Sequence, residues 1–459
     1  MDTDRMKRYR EDLAFCEGTQ WLGTARRRER RLVFNYTRSV VEKTASFTVA
    51  GVRFVADPRD SGDDGGERGR RLEDALEVVS EENGLGALEL DSDIDACVLG
   101  DGAWRVSWDV AEKRVRVTAP DVQGLYVWSL PDDLSRFWRL AQRYDVSEEY
   151  AAMLVGPRDT SRSGPFPPAR SGQRRVVEVW TDETFELFLD GVLVEAKPNP
   201  YGFIPYVVYP NVRVPKRFWG ASDVSAVRES QRELNRALSQ LSTILELSGN
   251  PIAVLENVTE SADISVAPGS VWELPEKAKA YLLDLLQGGG VRLHVDYVDL
   301  LYRALHDLGE VPRVAWGAET ASTASGVALS MQLGPLLRKV TRKRMVREVA
   351  FRRRNEMVLR LLTQFTGVDY APFRTRTVWS EVLPPDRAGL VVEEKALVGA
   401  GIHSRRRAAT QLGVEDAAAE FEQWFAEQER IGGLGNGGTG DGGGGGAADN
   451  AGGGGGAAD

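Results

Sequence analysis

Apolar residues recur with two different periods along the chain. Between residues 96 and 193 they alternate with polar residues, which predicts a β-rich block. The predicted strands are residues 104–108, 114–118 and 176–180, followed by a hairpin over 185–194 that turns at Asp190-Gly191. Residues 5–50 and 70–83 have helical spacing instead, so the N-terminal part is predicted to mix helices and strands.

Beyond Gly220 the spacing of apolar residues becomes helical. A first helix is predicted from Ser222, a good N-cap, to Gly249. A second helix is predicted over residues 292–308, with one apolar stripe formed by His294, Val298, Leu301, Leu305 and Leu308. The residues between these two helices, 251–272, have a β-like pattern.

The last third of the chain is predicted to be mostly helical. The longest helix is expected over residues 326–365, with Pro335 inside it as a kink. A strand follows at 374–380, and residues 384–430 are predicted to be helical with breaks at Gly401 and Gly413. From residue 431 onward the chain is almost entirely Gly, Ala, Asp and Asn, which predicts a disordered tail.

Composition narrows the class of protein. The chain has 459 residues, of which 42% are hydrophobic, enough for roughly three modules. Its two cysteines, Cys16 and Cys97, cannot build a disulfide framework and fit a reducing compartment. Because the first residues are charged, no signal peptide is expected. The sequence has no run of 18 consecutive apolar residues, so no membrane span is expected either. A net charge of −10 argues against a protein that grips DNA by neutralising many phosphates.

Several short phrases occur in a fixed order along the chain. They are Asn-Tyr-Thr-Arg-Ser-Val-Val at 35–41, the proline-rich segment 199–210, Trp-Gly-Ala-Ser-Asp-Val at 219–224 with Asn235 and Ser239 beyond it, and Ser-Gly-Val-Ala-Leu at 325–329. Leu-Pro-Pro-Asp at 383–386 and Gly-Ile-His-Ser-Arg at 401–405 follow. In this order they resemble the portal proteins of tailed bacteriophages, over residues 8 to 430.

The resemblance implies an α+β subunit with an α/β wing, a two-helix stem, a small β-containing clip, a long kinked helix and an α-helical crown. Carried onto this sequence, its parts are wing 1–218, first stem helix 219–248, clip 249–291, second stem helix 292–309, tunnel-loop region 310–325, long helix and return to the wing 326–383, and crown 384–430. The tail, 431–459, belongs to no shared part.

The same resemblance implies two sets of site residues. The stem residues expected to assemble the ring are Leu234, Leu238, Leu241, Leu245, Val298, Leu301 and Leu305. The tunnel-loop residues expected to face the DNA channel are Glu319, Thr320, Ala321, Ser322, Thr323, Ala324 and Ser325. Small side chains suit a narrow channel, although the same run could be an ordinary solvent loop.

The implied function is structural. Such subunits form a ring, with twelve copies as the family expectation, at one capsid vertex of the virion, where double-stranded DNA passes during packaging and ejection. Implied partners are the large terminase, head-completion adaptors, and the major capsid and scaffolding proteins, with assembly in the host cytoplasm. No catalytic residue, metal or cofactor is expected, since the chain lacks a phosphate-binding GxxxxGK[ST] motif and its three histidines are scattered.

Some alternatives stay open at this point. Asp91, Asp93 and Asp95 could serve as ligands of a metal-dependent nuclease, and the chain could be another head-completion or minor capsid component. Residues 338–360 carry ten basic side chains against two acidic ones. They form either a solvated face that pairs with acidic neighbours or a surface that contacts DNA.

Overall fold

The computed structural model describes residues 2–25, 29–57, 66–155, 172–249, 252–256, 279–283, 290–317, 326–380, 382, 387–414 and 417–435. The chain divides into two compact units, Met1–Val382 and Leu383–Asp459. Each unit has its own elements.

The first unit contains both helices and strands. Its helices are α1 (Asp2–Cys16), α2 (Tyr36–Val49), α3 (Glu67–Asn83), α4 (Leu85–Leu99), α5 (Glu148–Val155), α6 (Asp223–Gly249), α7 (Gly290–Gly309), α8 (Gly326–Gln332) and α9 (Gly334–Thr366). Its strands are β1 (Val52–Ala56), β2 (Asp101–Asp109), β3 (Arg114–Thr118), β4 (Leu125–Ser129), β5 (Phe137–Ser147), β6 (Gln173–Trp180), β7 (Thr184–Leu189), β8 (Val192–Pro198), β9 (Tyr206–Pro210), β10 (Ile252–Glu256), β11 (Lys279–Leu283) and β12 (Thr375–Trp379).

The strands pair in four antiparallel sheets within the described residues. Their orders are β4-β5-β6-β7-β8, β3-β2-β9, β1-β12 and β10-β11. The α+β class is therefore confirmed. The described strands within residues 1–218, the predicted wing, pair antiparallel, whereas α/β layers have parallel strands joined by crossover helices.

The predicted hairpin is confirmed, together with its turn. Asp190 and Gly191 separate β7 from β8 and both have positive φ, 51° and 85°. Positive φ at both central residues is the requirement of a type I′ turn, which glycine meets without strain and aspartate tolerates.

Two hydrophobic cores lie on opposite faces of the β3-β2-β9 sheet. On β9, Tyr206 and Val208 pack in one core, whereas Val207 and Tyr209 pack in the other. On β2, Trp104 is almost completely buried in the same core as Val207 and Tyr209. Successive side chains of a strand point to opposite faces. This sheet is therefore a central layer buried on both sides.

Two helix predictions are wrong in extent. The predicted helix over 5–50 is two helices, α1 and α2, because residues 17–35 run without regular structure in their described part. The long helix predicted over 326–365 is also two helices that meet at Leu333. Pro335 lies in the first turn of α9. A proline fits that position because the first N–H groups of a helix have no intrahelical acceptor.

The basic residues of α9 are not a purely solvated face, which corrects the first interpretation of residues 338–360. Four of the ten are buried: Lys339, Lys343, Arg347 and Arg354. Each pairs with a carboxylate of the same unit. Lys339 and Lys343 meet Asp223, Arg347 Nε lies 2.6 Å from an oxygen of Asp93, and Arg354 Nη1 lies 2.8 Å from Glu89.

The second unit is helical in its described part. Its helices are α10 (Arg387–Gly399), α11 (Arg405–Gln411) and α12 (Ala417–Gly435). The breaks predicted at Gly401 and Gly413 are confirmed, with φ of 73° and 85°. α12 continues to Gly435, five residues into the segment that was predicted to be disordered. Residues 436–459 lie outside the described part of the chain.

We expect Arg347→Met to lower the free energy of unfolding by about 3–5 kcal/mol, because it leaves the buried Asp93 carboxylate unpaired. The same substitution at exposed Arg352, on the same helix, is the matched control and should change stability by less than about 0.5 kcal/mol. Urea denaturation of both variants at one protein concentration measures the difference. Equal losses in the two variants would mean that the ion pair does not stabilise the fold.

Candidate assembly site on the α6–α7 hairpin

The start of α6 is held by its neighbours in the chain. The Ser222 hydroxyl accepts from the backbone N–H of Val224 at 3.0 Å and donates to the carbonyl of Val98 at 2.6 Å. Gly220 lies so close to Gly100 that an added Cβ would be 2.5 Å from its carbonyl oxygen. Ser222 therefore caps the helix as predicted, and only glycine fits two residues before it.

Asp223 fixes the same end of α6 to α9. Its carboxylate pairs with the ammonium groups of Lys343 and Lys339, all three buried. Burial alone would raise the pKa of Asp223, but the two ammonium groups outweigh it and hold that pKa well below its ordinary value. Lys343 also donates to the side-chain oxygen of Asn211 at 2.8 Å. The N-terminal end of α6 is therefore held by a cluster of ionised side chains that is buried away from water.

One face of α6 carries a ladder of polar side chains that bind an extended segment, residues 29–35. The Asn235 side-chain oxygen accepts from the N–H of Phe34 at 3.0 Å, and the Ser239 hydroxyl accepts from the N–H of Leu32 at 3.0 Å. Gln231 donates to the carbonyl of Phe34 at 2.6 Å. An extended segment outside any sheet has no internal partners for its backbone. The ladder supplies them, which gives the Asn235 and Ser239 of the sequence pattern a structural role.

The basic run at residues 26–31 lies inside the predicted helix of residues 5–50, but its described part, residues 29–31, is not helical. Residues 26–28 lie outside the described part. Arg30 is in the extended segment, where its guanidinium lies 3.0 Å from Glu246 and donates to the Ser242 hydroxyl at 2.9 Å. These two residues of α6 continue the ladder by two further turns.

The predicted stem residues occupy three environments. α6 and α7 pack along each other. Leu234 and Leu305 are buried between them and the rest of the unit, Leu245 is exposed, and Leu238, Leu241, Val298 and Leu301 are partly buried. Beside Leu238 and Leu241 an open groove is also lined by Leu32, Phe34 and Leu245. The extended segment therefore covers part of the surface that was assigned to subunit assembly.

α7 has a second apolar stripe, which the sequence interpretation missed. Leu293, Tyr297, Leu300 and Leu308 follow one another at helical spacing and are all exposed, Leu300 by 58%. Leu308 was predicted to share one stripe with Val298, Leu301 and Leu305, but it is exposed whereas Leu305 is buried. We call the stripe of Leu293, Tyr297, Leu300 and Leu308 the outer stripe. The two stripes are adjacent faces of α7, and a wide apolar surface on a helix needs cover across its whole width. In the described residues the Tyr297 hydroxyl donates to Glu233 of α6 at 3.2 Å, whereas the leucines of the second stripe remain exposed.

The residues that follow α7 pack around the side chain of His306, which lies in the last turn of α7. Its ring lies between those of Tyr302 and Trp316, with centroid distances of 4.5 and 4.7 Å, and Nδ1 lies 2.8 Å from the carbonyl oxygen of Val311. Burial lowers the pKa of His306. The predicted tunnel-loop residues that follow, 319–325, lie outside the described residues.

The alternative metal site does not form. Asp91, Asp93 and Asp95 lie on helix α4, not in a loop, and Asp93 is taken by the ion pair with Arg347. Across the described ranges no group of three His, Cys, Asp or Glu side chains could hold a metal ion. In the same part of the chain no helix has both the length and the apolar character needed to span a bilayer.

Comparison with known proteins completes the description of the site. The sequence matches the family described as phage portal protein, SPP1 Gp6-like, over residues 170–433. That range is more than half of the chain and contains α6, α7, α8 and α9. No curated protein matches the sequence. The chain therefore belongs to the SPP1 Gp6-like phage portal proteins, a family of structural rather than enzymatic components of the phage capsid.

Proposed function

We propose that this chain is the subunit of a ring-shaped channel at one capsid vertex, through which double-stranded DNA enters during packaging and leaves during ejection. The observation that carries the proposal is the outer stripe of α7, the apolar row of Leu293, Tyr297, Leu300 and Leu308. A neighbouring subunit is the natural cover for a stripe that the subunit itself leaves exposed. Twelve copies are the family expectation.

The hairpin offers two different surfaces for contact between copies, as a ring requires. The outer stripe lies on α7, whereas the open groove beside Leu241 and Leu245 lies on α6. Contact between different surfaces of successive copies is heterologous, and it closes into a ring when the rotation between copies divides the circle. We therefore expect the α7 stripe of one subunit to pack into the α6 groove of the next.

The remaining parts take the roles that the family resemblance implies. The β10-β11 hairpin lies in the predicted clip, residues 249–291, at the far end of both stem helices. The helices of the second unit lie in the predicted crown. Residues 319–325 are the proposed tunnel loop. Large terminase, head-completion adaptors, and the capsid and scaffolding proteins are the proposed partners outside the ring.

The negative net charge of the subunit favours a channel in which DNA slides rather than one that binds DNA tightly. Each subunit carries a net charge of −10. A ring multiplies this charge, and an acidic wall repels phosphates, so DNA can pass without being held. Four of the basic residues on α9, the most basic helix, are neutralised internally and are not available to phosphates.

We expect Leu300→Asp to abolish ring formation while leaving the subunit folded. Leu300 is exposed in the subunit, so a carboxylate there costs the monomer little, but each ring contact would bury it unpaired at a cost of several kcal/mol. Size-exclusion chromatography with light scattering measures assembly, and circular dichroism measures folding. Arg292→Asp is the matched control, since it adds a carboxylate at an exposed position of α7 off the stripe. Rings of normal yield and heat stability from Leu300→Asp would contradict the proposed interface.

We expect deletion of residues 321–324 to leave ring formation unchanged and to reduce the DNA packaged per capsid. The deleted segment carries only small side chains, so it contributes little burial, while a channel loop would contact the moving DNA. Electron microscopy of the rings and quantification of DNA in purified heads are the two measurements. Normal rings with full heads would contradict the tunnel-loop role.

A further inference from the structure

The solvent side of α9 has a regular pattern that the channel function does not use. Arg338, Arg342, Met345, Val349 and Arg352 are all exposed, at successive spacings of four, three, four and three residues. Such spacing places side chains in one straight row along a helix. From Arg338 to Arg352 the row is ~21 Å long, at 1.5 Å per residue. We call it the α9 row.

A cleft of about 440 Å³ runs beside the α9 row. Its apolar lining comes from both walls: Leu134, Val212 and Phe218 on the loop side, and Met345, Val346 and Val349 on α9. Clefts of this size accept one or two apolar side chains of a partner, which then act as anchors.

The charged residues that line the rim of the cleft are all arginines. Arg213 and Arg217 line it on the loop side, and Arg342 and Arg353 line it on α9. No Asp or Glu is among its lining residues, although the chain has 68 acidic residues against 58 basic ones. Glu310 neutralises Arg342 from outside the cleft, at 2.6 Å. Within the described residues, Arg213 and Arg217 have no carboxylate partner.

We propose that the α9 row and its cleft bind an amphipathic helix of another protein, with carboxylates flanking an apolar stripe. A row of 3.5-residue period fits a helix laid along it, as helix-in-groove interfaces require. Met345 and Val349, at the centre of the row, meet the apolar stripe, and the arginines on both sides meet the carboxylates. An acidic helix is the occupant because the charge of the rim has one sign.

Other occupants fit less well. DNA phosphates match the arginines but leave the apolar walls of the cleft without a partner. A small anion fills the cleft but not a row ~21 Å long. A second copy of this chain is the third competitor, and it is separated from the proposal by the effect of the variants on ring assembly.

The test uses the full-length protein as purified and a labelled 18-residue peptide that is helical, with Leu and Phe at 3.5-residue spacing and Glu at the flanking positions. Fluorescence anisotropy at 0.15 M salt should show saturable binding that weakens as salt is raised. A control peptide with Lys in place of every Glu should not bind. No saturable binding of the acidic peptide up to 1 mM, or equal binding of the two peptides, would overturn the proposal.

Two variants locate the binding. Met345→Asp and Arg217→Glu should each weaken the acidic peptide about tenfold. Met153→Asp on α5 is the matched control, since Met153 is exposed by 78% and Met345 by 64%, and it should bind as the unchanged protein does. Unchanged binding in both cleft variants would overturn the proposal.

Two further readouts address the competing occupants. Rings of all three variants should have normal size by light scattering, because the row is proposed to face another protein. Loss of rings in Met345→Asp alone would assign the row to a second copy instead. Displacement of the peptide by a 20-base-pair DNA duplex at equal concentration would assign it to DNA. Either result would overturn the proposal.

Discussion

The fold depends on the neutralisation of buried cations of α9 by carboxylates of α4 and α6. Lys343 and Lys339 share Asp223, and Arg347 pairs with Asp93, all within a region closed to water. Removing one partner of a buried pair leaves a charge that costs several kcal/mol, so these helices cannot shift independently. Because Asp223 is the first residue of α6, the pairs set the position of the hairpin that α6 forms with α7.

Beyond this anchored N-terminal end of α6, the α6–α7 hairpin has one polar side and one apolar side. The polar ladder of α6 binds the backbone of the extended segment, residues 29–35, and its hydrogen bonds are made within the subunit. In the described part of the chain the leucines of the outer stripe of α7 are exposed, although Tyr297 on that stripe donates to Glu233 of α6. A surface whose polar groups are already hydrogen-bonded needs no further contact, whereas an exposed row of apolar side chains is stabilised by a partner that covers it. This contrast places the proposed ring contact on α7 rather than on the whole hairpin.

The elements that could be predicted from the sequence are those specified by residues close together along the chain. Strand alternation, the Asp190-Gly191 turn and the period of α6 all lie within short windows, and the structure confirms them. Pairs such as Asp223 with Lys343 are 120 residues apart, so the basic run of residues 338–360 was interpreted as solvated, although four of its ten basic side chains are buried. The extended segment was missed for the same reason, since its partners lie on α6. The outer stripe could have been found, because Leu293, Tyr297 and Leu300 already have helical spacing in the sequence.

The central claim is that this subunit closes into a ring through its α6–α7 hairpins. Native mass spectrometry of the purified protein, combined with negative-stain images along the particle axis, tests it most directly. The account predicts one dominant species whose mass is a fixed multiple of 50.5 kDa and whose images show a ring with a central hole. Monomers alone, or two-fold dimers without a hole, at every concentration up to about 10 μM, a range in which specific interfaces with sub-micromolar affinity are occupied, would contradict it.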